Sequence, residues 1–368
     1  MASPPTMAGP KPPPPLNMPP SNHTVKVSII DSTTIANMPM AIMVKPPVLA
    51  GFSHVNCPSY SFLLEHPSGR TLLFDLGVRK DWENEAPVVV KQIRDAKVGM
   101  EIEKDVYDML ADSGRDPDAV EAIFWSHYHW DHTGNPARFP ASTALMVGPG
   151  FKTRFPPAWP TVADSWLTED AWEGRELKEV EFSTELKIGR FKAVDWFGDG
   201  SFYVLDTPGH LLGHICGLAR TTPDTFILMG GDAAHHAGEI RPTEFVPLPA
   251  SVALEGVRPG AGFPVPCPGE LLLRRVHPRE SATKPFYEPA DGFNEDGPEA
   301  ERSLEGVTEF DADENVLVVL AHDASLRDVV GFYPQEANEW KRKLWRDKGR
   351  WRFLTDFGAG LRTEEDGL

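Results

Sequence analysis

The sequence predicts a mixed α/β chain, and three observations carry that expectation. Apolar runs of strand length recur between turn signals, one stretch carries helical spacing, and 41% of the 368 residues are hydrophobic, enough to bury a large core. The first strands are expected at Val25 to Ile30, Tyr60 to Glu65 and Thr71 to Asp75, the last two joined by the turn Pro67-Ser68-Gly69. Val106 to Ala111 has apolar residues at helical spacing and stops near Gly114, after which Ala122 to Trp125 reads as a short strand. Later runs of strand length are Ala144 to Val147, Phe202 to Leu205, Phe226 to Met229 and Val316 to Leu320. Pro334 to Leu354, rich in Trp, Lys and Arg, is expected as a closing helix in which Trp340, Leu344 and the stems of the basic residues cover a sheet. Residues 245–310 are rich in Pro and Gly without a long periodic segment, which predicts an extended insertion inside one domain spanning 25–368.

Residues 1–24 are expected to be a disordered Pro-rich tail: nine prolines fall in the first twenty positions, and no apolar h-region marks a secretory signal. A formal net charge of −18 argues against nucleic acid as the main partner and leaves a small-molecule substrate as the better expectation. No apolar run reaches the roughly 18 residues of a membrane span. Cys57, Cys216 and Cys267 are too few and too scattered for a disulfide framework, which predicts a reducing, cytoplasmic setting. None of these features specifies an oligomeric state.

The chemistry is expected at the ends of the strands. Ser126-His127-Tyr128-His129-Trp130-Asp131-His132 packs three imidazoles and a carboxylate directly behind the run Ala122 to Trp125. One histidine alone is usually structural, whereas four metal-type ligands in H-x-H-x-D-H order suit zinc or a similar borderline ion, because a turn at a strand end can aim alternate side chains at one point. Three later strands also run into ligand-type residues: Phe202 to Leu205 into Thr207-Pro208-Gly209-His210, Phe226 to Met229 into Gly230-Gly231-Asp232, and Val316 to Leu320 into His322. Strand ends commonly gather in one cleft, so His127, His129, Asp131, His132, His210, Asp232 and His322 form a candidate set for two ions.

That order of motifs resembles the metallo-β-lactamase superfamily, and its lactonase-type members most closely, over roughly residues 60 to 325. The resemblance implies a four-layer αβ/βα sandwich with two metal ions, expected to be zinc, at one edge. By position, His127, His129 and His210 would hold the first ion, Asp131, His132 and His322 the second, and Asp232 would bridge. Asp75, in Leu72-Leu73-Phe74-Asp75-Leu76-Gly77, would support the ligands from behind by hydrogen bonding. His214 is expected to be structural. Tyr128 and Trp130 either wall the pocket or pack against neighbouring turns. The implied reaction is hydrolysis by a metal-activated water, with the oxygens of Asp131 and Asp232 orienting that water.

Branches of the superfamily differ at positions present here. Zinc-dependent β-lactamases mostly place a cysteine where this chain has Asp232. Thioester hydrolases of the glyoxalase II type share the seven ligands but add a helical, glutathione-reading domain that the 46 residues after His322 do not resemble. A mononuclear iron oxidoreductase on the same scaffold is the remaining alternative. Acyl-homoserine lactonases usually carry a tyrosine three residues after the bridging aspartate, where this chain has His235. His235 either helps as an electrophile or general acid, or only hydrogen-bonds Asp232. The expected substrate is therefore a small cyclic ester or cyclic amide: a lactone, a γ-lactam or a cyclic carbamate. Phe263, Phe286, Tyr287 and Phe293 of the insertion either form a lid over the site or belong to a surface excursion.

Overall fold

Side chains alternate across each strand, and here that alternation sorts the apolar residues into three packed zones between four layers. The computed structural model describes residues 9–46, 48, 52–254 and 263–361. Strands β1 (Lys26–Pro39), β2 (His54–Glu65), β3 (Thr71–Phe74), β4 (Gly99–Glu101), β5 (Ala122–Phe124), β6 (Ala144–Val147) and β7 (Leu177–Glu179) form a seven-stranded sheet in the order β4-β1-β2-β3-β5-β6-β7. Strands β8 (Lys187–Ile188), β9 (Phe191–Asp195), β10 (Phe202–Asp206), β11 (Ile215–Thr222) and β12 (Thr225–Met229) build a second sheet. After a two-stranded hairpin of β13 (Ser251–Val252) and β14 (Cys267–Pro268), β15 (Val316–Val319) completes it in the order β15-β12-β11-β10-β9-β8.

One set of alternate residues fills the space between the sheets: Phe62, Leu72 and Phe124 from the first meet Val204, Ile227 and Val319 from the second. The opposite set on the first sheet, including Leu63, Leu73 and Ile123, packs outward against Val106 and Leu110 of the helix Val106–Asp112. On the second sheet Leu205, Leu218 and Val318 pack outward against Val307 and Phe310 of the helix Gly297–Ala312. Helix, sheet, sheet and helix thus stack as an αβ/βα sandwich, with each fully buried Phe or Leu contributing roughly 1.5–3 kcal/mol. Among the described residues no helix is long and apolar enough to cross a membrane.

Pairing directions bring four chain segments to one edge. β12 and β15 are parallel with Met229 opposite Val319, so the residues after both strands emerge together. β10 runs antiparallel to β11 with Asp206 opposite Ile215, and β11 antiparallel to β12 with Gly217 opposite Met229, which places the turn 207–214 at the same edge. In the first sheet β3 and β5 are parallel with Phe74 opposite Phe124. Cross-links register the two sheets there: Ile215 N donates to Ser126 O (2.8 Å) and Tyr60 N to Ala321 O (3.0 Å).

Three regions depart from the expectations set by the sequence. Pro334 to Leu354 does not form one helix. Its start instead runs beside β1, with Tyr333 N just before it donating to Ile29 O and Ala337 N to Val27 O, both at 2.7 Å. Trp340 is buried, but Leu344 is 52% exposed with φ of 58°, and only Trp345–Gly349 is α-helical within the stretch. The insertion is not uniformly extended: it contains the helices Gly269–Arg275 and Gly297–Ala312. In the second of these, Ala300, Leu304, Val307 and Phe310 recur at helical spacing among acidic residues that mask the pattern. Finally, residues 9–24, expected as a disordered tail, lie against the second sheet, while residues 1–8 fall outside the described residues. Leu16 is buried against β9 and the helix Gly297–Ala312, Gly189 N donates to Leu16 O (2.6 Å), and Arg220 Nη2 donates to Pro19 O (2.5 Å). Proline-rich backbone is extended without internal hydrogen bonds, so its carbonyls are free to accept from neighbours.

Candidate metal centre

The loop after β5 is fixed before any ligand is considered. Asp75, directly after β3, adopts φ of 57°, a conformation aspartate tolerates, and turns its carboxylate toward that loop. Its Oδ1 accepts from Ser126 N (2.6 Å), and its Oδ2 accepts from Ser126 Oγ (2.7 Å) and His132 Nδ1 (2.9 Å). Trp125 Nε1 donates to Thr133 O (2.9 Å) and Leu76 N to His132 O (2.9 Å), closing the turn that carries His127, His129, Asp131 and His132.

Asp232 is the meeting point of both sheets. Its backbone N donates to His214 Nε2 (3.1 Å), whose Nδ1 donates to Thr207 O (3.0 Å). His214 therefore positions the backbone of Asp232 with both ring nitrogens engaged, while its ring packs beside those of His127 and His210 (centroids 5.3 and 5.9 Å). The two carboxylate oxygens of Asp232 address different partners. Oδ2 lies 3.5 Å from His127 Nε2 and 3.7 Å from His210 Nε2, while Oδ1 lies 3.1 Å from both His132 Nε2 and His322 Nε2. His129 Nδ1 joins the first group at 3.2 Å from His210 Nε2, and Asp131 Oδ2 joins the second at 3.4 Å from His322 Nε2. Ligand atoms of His127, His129, His210 and Asp232 lie within 4.8 Å of one another, as do those of Asp131, His132 and His322. The structure thus gathers all seven sequence-derived candidates into two adjoining groups.

The donor chemistry fits metal ions. His127 Nε2, His132 Nε2 and Asp232 Oδ1 are buried without a hydrogen-bond partner, a costly arrangement unless a cation satisfies them. The opposite ring nitrogens are engaged: His132 Nδ1 with Asp75, His210 Nδ1 with Asn294 Oδ1 (2.9 Å), and His322 Nδ1 with Pro58 O (2.8 Å). A proton held on Nδ1 leaves the Nε2 lone pair facing inward. Burial, reinforced by neighbouring imidazoles, pushes His127 and His210 well below the ordinary histidine value, so both are neutral. For His132 burial opposes the charge, but Asp232, Asp131 and Asp75 prevail and raise it to about 10. These carboxylates make a field that favours a cation, and an ion entering it displaces imidazole protons.

A cleft opens over the cluster, lined by His129, Asp131, Asp232, His235 and His322 at its base. Its walls are Met38, Ile42 and Met43 on one side, Ile93, Ala96 and Val98 on another, with Trp130, Phe293 and the amide of Gln92. Trp130 is therefore a pocket residue, whereas Tyr128 packs against Phe155 (ring centroids 4.4 Å) and donates to Glu295 Oε1 (2.8 Å). His235 is buried against Phe293, with Nε2 3.2 Å from Asp232 Oδ2. Of the four aromatics in the insertion, Phe293 lines the cleft. Phe263, Phe286 and Tyr287 are buried in a neighbouring core and form no lid. Sequence reasoning missed Asn294, which lies 84 positions from the histidine it contacts and carries no motif.

Residues 54–258 match the family model described as the metallo-beta-lactamase superfamily. The chain is 44% identical over 356 residues to "Gamma-lactamase FDB1" of Fusarium pseudograminearum, covering 94% of this chain and 85% of that protein. It is 46% identical over 240 residues to "Gamma-lactamase MBL2" of Gibberella moniliformis, covering 64% of this chain and 99% of that one. A solved N-acyl homoserine lactone hydrolase, with N-hexanoyl-L-homoserine at its catalytic metal centre, superposes with a TM-score of 0.55 at 16% identity. That match covers 85% of this chain and 99% of the other and is a likeness of fold.

Proposed function

The chain is a hydrolase that belongs to the metallo-β-lactamase superfamily, and on that premise we propose that it opens a small cyclic amide or ester, a γ-lactam, cyclic carbamate or lactone, at a dizinc centre. The observation that carries this reading is Asp232, whose two oxygens each face a separate group of imidazoles. His127, His129 and His210 would hold one ion, Asp131, His132 and His322 the other, and Asp232 both. When bound, two such ions supply a water activated near neutral pH and polarise the carbonyl under attack. The γ-lactamase names of relatives at 44% and 46% identity favour a ring amide over a ring ester. Three free, buried cysteines suit the cytoplasm as the setting.

The chain's own groups then act on the ring. Asp131 lines the cleft, and with an ion bound its second carboxylate oxygen would be available to orient the water. Met38, Ile93, Trp130 and Phe293 bury the apolar flank of the substrate and exclude bulk water from the reacting carbonyl. Among the described residues no lysine or arginine lines the cleft, which disfavours an anionic glutathione thioester. Histidine and carboxylate donors also accept iron, so the metal content of protein purified without added metal separates the iron reading from the zinc one.

His235, which lines the cleft, would hand a proton to the departing atom, a demand that is greater for an amide nitrogen than for an alkoxide. His235→Ala is expected to lower turnover of a γ-lactam by roughly 10²-fold, and that of a ring-matched lactone by much less. Steady-state kinetics on the matched pair, with a glutathione thioester as a third substrate, test the proposal. Equal small losses on both rings argue for a merely structural His235, and turnover of the thioester alone argues for the glyoxalase type.

A further inference from the structure

The turn that carries His210 is held by the insertion at several independent points. Glu295 N donates to His210 O (2.9 Å) and Asp296 N to Gly209 O (3.0 Å), so a short stretch of the insertion pairs with the turn backbone to backbone. Glu295 Oε2 accepts from Leu212 N (2.7 Å), and Glu295 Oε1 accepts from Tyr128 OH and pairs with Arg154 Nη2, both at 2.8 Å. One carboxylate thereby ties the turn 207–214 to the loop after β5. Asp296 caps the helix Gly297–Ala312, and Ser303 Oγ of that helix donates to Pro208 O (2.7 Å). Gly209 has φ of 122°, and a Cβ there would stand 2.1 Å from Ala300 N. Only glycine allows the turn to approach the helix so closely.

Within this clamp, Asn294 Oδ1 lies 2.9 Å from His210 Nδ1, and the neighbouring Phe293 sets its ring against His129, His210 and His235 at centroid distances of 5.9, 5.4 and 4.8 Å. For His210 to present its Nε2 lone pair to the cluster, Nδ1 must carry the proton, and Asn294 Oδ1 is its acceptor. His127 has a partner within the loop after β5, its Nδ1 lying 3.0 Å from Ser126 Oγ. His210 takes its orientation from a residue of the insertion.

We propose that Asn294 is the positioning residue of the metal subsite formed by His127, His129 and His210, so that the insertion completes this subsite instead of covering it. The proposal rests on the dimetal reading above. It gives the segment around 293–296 a different consequence from a lid. Its loss lowers the affinity for one ion, not only the affinity for substrate.

The test is zinc titration of the stripped full-length protein by calorimetry in competition with a chelator, alongside the thermal midpoint of each stripped variant. The wild type is expected to bind two ions. Asn294→Leu should bind one of them about ten- to a hundredfold more weakly and the other unchanged, with the stripped protein unfolding as the wild type does. Asn294→Asp keeps an acceptor at the same place and is expected to restore both affinities. Asn294→Ala, which removes the acceptor with less bulk, serves if the leucine variant does not fold. Two wild-type affinities in the variant lacking the acceptor, or equal weakening in Asn294→Asp, overturn the proposal. A wild type that takes up fewer than two ions overturns the dimetal reading and the proposal with it.

Discussion

Asp232→Ala is expected to remove all measurable ring opening and to leave the chain with at most one tightly bound ion. The carboxylate is buried and contributes one oxygen to each group of imidazoles; burial alone would raise it, but His132 and His322 outweigh that cost and hold it well below the ordinary carboxylate value. Alanine leaves those imidazoles facing one another with neither a bridging charge nor a ligand common to both subsites. Loss of one ion forfeits several kcal/mol of transition-state stabilisation, and ~4 kcal/mol is about a thousandfold in rate. The check is metal content by mass spectrometry together with kcat on a substrate that the wild type turns over. Two ions per chain and full activity in the variant would exclude Asp232 as the shared ligand.

The largest expected effect on stability lies outside the site. Arg241 and Asp311 form a buried bidentate pair, Nε to Oδ2 at 3.0 Å and Nη2 to Oδ1 at 2.6 Å, and Arg241 Nη1 also donates to Arg350 O (2.9 Å). The pair fastens the segment after His235 and His236 to the end of the helix Gly297–Ala312. Asp311→Ala strands a buried guanidinium and should cost about 3–5 kcal/mol, read as a lowered denaturant midpoint. Replacing both partners, Arg241→Met with Asp311→Leu, should cost less than Asp311→Ala, because the guanidinium stranded by the single change is gone, leaving only Arg350 without its carboxylate at 4.0 Å. Burial alone would raise the carboxyl of Asp311, but Arg241 and Arg350 outweigh it and hold it at about 2, against 3.8 unfolded. A depressed acid stabilises the fold at pH above its unfolded value, and this contribution is lost as pH falls from about 4 through about 2.

The strand-end ligands were legible because each lies beside an apolar run that strand pairing delivers to one edge, so His127 to His132, His210, Asp232 and His322 could be read from order alone. β11 was not legible. Its sequence Ile-Cys-Gly-Leu-Ala-Arg-Thr-Thr is interrupted by Gly217, packed tightly against Phe74, Phe202 and Met229, and by Arg220, whose buried guanidinium donates to the carbonyls of Gly200, Pro223 and Pro19. A buried arginine satisfied by backbone reads as a surface residue in one dimension. The same blindness affects Asn294 and Glu295, polar residues in a polar loop whose partners are distant in sequence. At the C-terminus the error runs the other way. Trp, Lys and Arg suggest one helix, but Ala337 N is committed to Val27 O of β1, and the local bonds that follow it form separate turns, interrupted by Leu344 at φ of 58°. Tertiary partners decide such segments, and they leave no periodic trace.

The most direct measurement of the central claim is the product formed from a simple γ-lactam by zinc-loaded protein, followed by mass spectrometry beside the same protein stripped with a chelator. The expected result is a ring-opened product heavier by one water, lost on stripping and restored when two zinc ions per chain are returned. Ring opening that persists in protein shown to be free of metal, or a fully loaded protein that opens neither lactam, carbamate nor lactone, would contradict it.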